Sequence, residues 1–162
     1  LERITNLAGT HGVGRLVTVE DRLIGIKMVE VYEQPAAVVL HAARAALERI
    51  VLTPDTLALR VTLARKYAEL TYQGFWFCEL REALDAFFQK ATEFVTGDVR
   101  VQLHKGHCRT TGVRSRYSLY SQGLAEPTTE GDTFEHSAVR GFVDTLAQPM
   151  RHAREGWKPK EV

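Results

Sequence analysis

The apolar spacing of this 162-residue chain changes period twice, and that change limits what it can fold into. Between Gly14 and Tyr32, Leu16, Thr18 and Glu20 alternate with Val17, Val19 and Asp21, and Leu23-Ile24-Gly25-Ile26 then leads to Val29 and Val31. Alternation rich in β-branched residues, broken by the polar Asp21-Arg22, predicts two strands joined tightly. From Pro35 the spacing lengthens to three and four through Val38, Val39, Ala42, Ala45, Ala46, Ile50 and Val51. That is a helix, with proline near its first turn, where the missing N–H costs nothing. Thr53-Pro54-Asp55 starts a second helix, with Thr as cap, and Gly74 ends it. Leu80, Leu84, Phe87, Phe88, Ala91 and Val95 predict a third helix reaching about Val95, closed by Gly97. Phe75-Trp76-Phe77, between two helices, reads as a plug in the core, because large aromatics dominate core burial.

After Gly97 the period returns to two. Val99, Val101 and Leu103 alternate with Arg100, Gln102 and His104, and Lys105-Gly106 turns the chain into Cys108 through Val113. A β-hairpin with one wetted face follows from that pattern. Tyr117 to Tyr120 is expected to add a short strand, Glu126 to Asp132 a loop, and Ser137 to Leu146 a last helix that Pro149 interrupts before a basic tail through Trp157 and Lys160. Strands and helices are grouped rather than alternating, so the fold class is α+β: antiparallel strands, a segregated helical group and a C-terminal helical arm. The expected division is 1–135 for the α+β domain and 136–162 for the helix and arm.

Composition removes several classes of function. A net charge of +1, with acidic and basic residues interspersed, offers no basic stripe for a phosphate backbone, so nucleic acid is not an expected partner. No apolar run approaches the roughly 20 residues that span a bilayer, and Leu1-Glu2-Arg3-Ile4 lacks the charged head and apolar stretch of a secretory signal. The chain does not open with Met, and the expectation is one that was processed or that starts inside a longer protein. Cys78 and Cys108, in different kinds of segment, read as reduced thiols of a cytoplasmic protein.

Few residues suggest chemistry. His11-Gly12-Val13-Gly14-Arg15 has the glycines of a phosphate loop without its Lys-Ser/Thr, and a tight turn feeding a strand accounts for them. His104, His107 and Cys108 invite a metal reading, but no second cluster completes a tetrahedral set, so solvent-facing turn residues are expected and no metal. Glu20 and Tyr32 stand apart: each ends a predicted strand, where side chains project into a cleft. A carboxylate accepts and a phenol both donates and accepts, which suits a polar substrate bearing amino or ureido N–H groups.

A set of collinear motifs gives those two residues a context. His11-Gly12-Val13-Gly14-Arg15, Val19-Glu20-Asp21-Arg22, Gly25-Ile26-Lys27 and Val31-Tyr32-Glu33 resemble the signature stretch of argininosuccinate synthase. Lys66-Tyr67-Ala68-Glu69-Leu70, Tyr72-Gln73-Gly74-Phe75-Trp76-Phe77, Thr96-Gly97, Lys105-Gly106, Tyr117-Ser118-Leu119-Tyr120 and Gly141-Phe142 keep the same order, so the similarity runs from about His11 to Arg151. The resemblance is to the carboxy-terminal, synthetase and multimerisation half. It implies an enzyme that joins citrulline to aspartate while ATP is cleaved to AMP and pyrophosphate. It also implies a homotetramer embraced by terminal arms, with Glu20 and Tyr32 as citrulline-binding residues and no catalytic residue in this half. ATP and Mg would be held mainly by an N-terminal domain or partner chain carrying a Ser-Gly-Gly-Leu-Asp-Thr loop. That loop does not occur here, so no cofactor is expected on this chain and the isolated domain is expected to be inactive.

The departures lie close to Glu20 and Tyr32. Where the family commonly reads Lys-Ser-Arg, this chain has Lys27-Met28-Val29, and its usual Pro-Gly is Pro35-Ala36. A hydroxyl is lost, and so is a charged fork of donors that Val29 cannot replace. Two readings follow: part of a complete synthase, or a stand-alone, non-catalytic assembly module related to that domain.

Overall fold

Proline and glycine set the boundaries of most elements. In the computed structural model, which describes residues 1–125 and 134–156, helix α1 (Glu2–Thr10) leads through His11–Gly14 into strands β1 (Arg15–Asp21) and β2 (Lys27–Glu33). Three helices follow, α2 (Pro35–Val51), α3 (Pro54–Tyr72) and α4 (Glu79–Ala91), then strands β3 (Asp98–His104) and β4 (His107–Arg114). A short helix α5 (Gln122–Ala125) and a long one, α6 (His136–Gly156), complete the described elements. Pro35 and Pro54 each occupy a first-turn position, and Gly74 leaves α3 at φ +83°, a left-handed turn that glycine adopts without strain.

The architecture is α+β. Its two sheets are separate antiparallel pairs, β1 with β2 and β3 with β4. The chain divides into two compact units, Leu1–Leu119 and Tyr120–Val162. In the first, α2 is the hub: it packs on α1, β3 and β4, while α3 packs on α4. Its fully buried apolar side chains are few, Ala8, Val13, Val51, Leu70 and Leu84, among the described residues. Alongside them lies a charged pivot. Glu48 of α2 is only 2% exposed and accepts a hydrogen bond from Arg44 Nε at 2.8 Å. Arg60 Nε of α3 approaches the same oxygen at 3.0 Å as an ion pair, without hydrogen-bond alignment. The buried carboxylate is thereby neutralised by two cations and ties α2 to α3. Between α3 and α4, Tyr67 Oη donates to Asp85 Oδ1 at 2.9 Å, and the Tyr67 ring meets Phe88 edge-on.

The hairpin β3–β4 turns at Lys105-Gly106, both at positive φ, as a two-residue turn between right-twisted strands requires. One extra residue, Thr111, bulges β4 where the register passes from Arg100–Gly112 to Val101–Thr110. Gly97 has a different cause from helix closure. A Cβ there would land on the Arg114 carbonyl oxygen and lie 2.9 Å from Leu47 Cδ2, so only glycine admits this approach of backbone to backbone.

Several expectations need correction. Helix α4 ends at Ala91 rather than Val95, because Thr92 turns its hydroxyl back to the Phe88 carbonyl (2.7 Å) and the chain then makes tight turns. No strand forms over Tyr117–Tyr120; Leu119 N instead caps the Ile50 carbonyl at 2.7 Å. Leu23–Ile26 is a loop between β1 and β2, not the start of the second strand. Phe75-Trp76-Phe77 is no core plug: all three are exposed, Phe77 to 93%, because Tyr67, Leu70, Leu84, Phe87 and Phe88 already fill the α3–α4 contact. Helix α6 runs through Pro149, which forgoes one backbone bond, and extends to Gly156. The loop expected at Glu126–Asp132 and the tail from Trp157 lie outside the described residues.

Candidate functional site

Pairing in the first ribbon decides what meets at Glu20. Opposite residues are Leu16–Tyr32, Thr18–Glu30 and Glu20–Met28 on one face, and Arg15–Glu33, Val17–Val31, Val19–Val29 and Asp21–Lys27 on the other. Directly opposed residues of an antiparallel pair share a face, so Glu20 and Tyr32 lie on the same side, four positions apart along β2 from Met28 to Tyr32. Thr18 Oγ1 donates to Glu20 Oε1 at 3.1 Å, filling part of the gap. The Glu20 carboxylate, as an acceptor beside the Tyr32 hydroxyl, raises the phenol's pKa above its usual value, and partial burial adds to this. The negative charges of Glu20 and Glu30 and the nearby Tyr72 push it the same way.

The arrangement is a polar strip with two acceptor carboxylates, one phenol and one guanidinium. Arg22 reaches Glu30 at 3.4 Å and places Nε 2.8 Å from Met28 Sδ. Tyr32 is 37% exposed, so its ring is open to a ligand. Of the two departures, only Met28 shares the face with Glu20 and Tyr32; Val29 points from the reverse face. The side chain at position 28 therefore bears on anything bound to this strip, and the side chain at position 29 does not. Sequence reasoning missed Thr18, Arg22, Glu30 and Tyr72. Alternation alone puts Thr18 and Glu30 beside the named pair, whereas no signal marks Tyr72.

The other candidates take structural roles. Gly12 lies against Gly106, whose N–H donates to the His11 carbonyl at 2.6 Å. A Cβ on Gly14 would collide with the Pro35 backbone, and the Gly14 carbonyl accepts from Gln34 N at 2.9 Å. The loop's glycines thus join the ribbon to the turn of the second hairpin and to the start of α2. His104, His107 and Cys108, with Gln102 and Arg109, line a surface hollow of about 490 Å³. Among the described residues, no three His, Cys, Asp or Glu side chains come together as metal ligands. Burial pushes the Cys108 thiol's pKa up, which keeps it protonated and weakly nucleophilic.

The family model for the arginosuccinate synthase C-terminal domain matches residues 1–153. The chain belongs to that family. Curated relatives named argininosuccinate synthase include one from Symbiobacterium thermophilum, 49% identical over 151 residues, which are 93% of this chain and 37% of the relative. One from Synechococcus sp. (strain JA-3-3Ab) is 47% identical over 150 residues, with the same shares, and one from Staphylococcus carnosus is 45% identical over 146 residues, 90% and 36%. The chain therefore spans little more than a third of the length of the relatives it matches. Its mixed helix-and-strand architecture agrees with the fold class the motifs imply.

Proposed function

We propose that this chain is the citrulline-positioning and assembly part of an argininosuccinate synthase, acting with an ATP-binding half in the cytoplasm. The observation that carries the proposal is the placement of Glu20 and Tyr32 on the same face of the ribbon, within a chain matched almost end to end by the family. Citrulline presents ammonium and ureido N–H donors. Glu20 accepts from them, and the Tyr32 hydroxyl, whose single O–H is directed to Glu20, offers its oxygen as a further acceptor for the ligand. In this reading both residues hold and orient the substrate. Their contribution is to proximity, which lowers the barrier by fixing the ureido group for attack by aspartate's amine.

In the parent reaction citrulline and aspartate are the substrates, and ATP with Mg is consumed. The His11–Arg15 loop lacks the Lys-Ser/Thr of a phosphate loop, which supports assigning that nucleotide's binding to the other half. The segment 136–162 is proposed as an oligomerisation arm. Phe142, Val143, Leu146 and Met150 form an exposed stripe at helical spacing along α6, as an arm that lies on a second subunit requires. Among the described residues, no helix is long and apolar enough to cross a membrane.

Calorimetry tests the site. Citrulline titrated into the chain mixed with an ATP-binding half from a relative is expected to bind, and Glu20→Gln is expected to weaken binding at least tenfold. Equal binding by parent and variant would overturn the role of Glu20. The pure chain with ATP, citrulline and aspartate is expected to release no pyrophosphate, and release would overturn the division of labour. Met28 favours one second reading, an assembly module without substrate. Its thioether occupies the binding face where the family's hydroxyl stands, and failure of citrulline to bind even with Met28→Ser would select that reading.

A further inference from the structure

The reverse face of the ribbon is the least explained surface of the molecule. Val17, Val19, Val29 and Val31 form two directly opposed pairs there, and each is 67–72% exposed. Leu23, Ile24 and Ile26 extend the apolar surface to the tip. Among the described residues, neither β1 nor β2 makes more than marginal contact with any other element, and an isolated two-stranded hairpin is at best marginally stable in water. A face of this kind, apolar and exposed on a ribbon anchored only at its base, marks an interface.

The charges bordering the valines say what covers it. Arg15 and Glu33 close one end as an ion pair at 3.1 Å, and Lys27 and Asp21 close the other at 2.6 Å. Each end carries one cation and one anion, on opposite strands and in inverted order: the cation is on β1 at the first end and on β2 at the second. That pattern is self-complementary. A two-fold axis lying between two such faces and parallel to the strands sets Arg15 of one copy over Glu33 of the other, and Asp21 over Lys27. An axis across the strands sets Arg15 over Asp21, and Glu33 over Lys27. Under either axis every end charge meets its opposite while the four valines of each copy meet four valines.

We propose that the valine face of the β1–β2 ribbon is an isologous interface with a second copy of this chain, distinct from the arm proposed for α6. The two ribbons stack face to face, valines interdigitated, with the polar strip of Glu20 and Tyr32 pointing away on each. Val29 belongs to this face. One departure from the family's motif therefore completes the apolar surface instead of altering the site.

Light scattering on the full chain tests the proposal, in a Leu146→Glu background that removes the arm's contribution. The background protein is expected at twice the 18.2 kDa chain mass. Adding Val17→Lys with Val29→Lys, which lie diagonally so that like charges do not stand opposite within one ribbon, is expected to halve that mass with an unchanged circular dichroism spectrum. Val17→Glu with Val29→Glu is expected to do the same, and an equal mixture of the Lys and Glu variants to restore the dimer. A monomeric background protein at sub-millimolar concentration would overturn the proposal. So would a Lys variant of unchanged mass, or a mixture that stays monomeric. Loss of binding to the ATP-binding half by the Lys variant, with the background protein monomeric, would assign the face to that half instead.

Discussion

The two hairpins of the first unit are nearly the same length and both antiparallel, yet they spend their apolar residues in opposite directions. In β3–β4, Val99, Val101, Leu103, Cys108 and Thr110 are half-buried and alternate with exposed polar residues, and both strands pack on α2. In β1–β2 the half-buried positions are Thr18, Glu20 and Glu30, and the valines face outward. One ribbon serves the core and the other reserves its inner face for polar side chains. Core packing and the proposed substrate contacts are therefore carried by separate hairpins, which substitutions can separate.

The largest effect is expected where α2 anchors the packed hairpin. Glu48→Ala leaves Arg60 largely buried without its anion, although Arg44, about half exposed, can turn to water. The expected loss is about 3 kcal/mol, read as a lower urea midpoint with an unchanged slope. By contrast, Glu33→Gln at the open ribbon breaks an ion pair exposed on both sides and is expected to change stability by no more than about 0.5 kcal/mol. Equal losses would mean that the ribbon is as integral to the fold as the helices are.

A smaller loss is expected at the neck of the packed hairpin. Gly97→Ala drives a methyl against the Arg114 carbonyl and Leu47, and the strand end must shift to admit it. Such overpacking costs about 1–3 kcal/mol, with hydrogen exchange accelerated in β3 and β4 but not in β1 and β2. Uniform acceleration in both hairpins would show that they unfold as one unit.

What the sequence disclosed follows the same division. Alternation located both hairpins, and Pro35, Pro54, Gly74 and Lys105-Gly106 located their neighbours, because each of these acts through its own backbone geometry. Alternation also placed Glu20 and Tyr32 at strand positions. It could not say which face of the first ribbon would turn outward, since valines on one face and Thr, Glu and Tyr on the other fit either choice until packing decides. The exposure of Phe75-Trp76-Phe77, the early end of α4 and the continuity of α6 through Pro149 depend likewise on tertiary surroundings, not on local propensity. Helix α1 carries no proline or capping side chain to announce it, and its N-cap Leu1 makes no side-chain hydrogen bond.

The finest distinction between the hairpins lies in a single proton. Because Glu20 offers the Tyr32 hydroxyl an acceptor and adds its negative charge nearby, the phenol holds its proton more tightly in the folded chain than in the unfolded one. The resulting stabilisation is fully present below the ordinary phenol range and is lost as pH rises through and beyond it. An ultraviolet titration of phenolate, taken as the difference between the parent and Tyr32→Phe, should place Tyr32 above an ordinary tyrosine. The same difference measured in a Glu20→Ala background should fall back toward the ordinary value, because the acceptor and the charge are both removed. Coincident curves in the two backgrounds would dissolve the Glu20–Tyr32 contact. The first ribbon would then keep its valine face but lose its claim to a substrate.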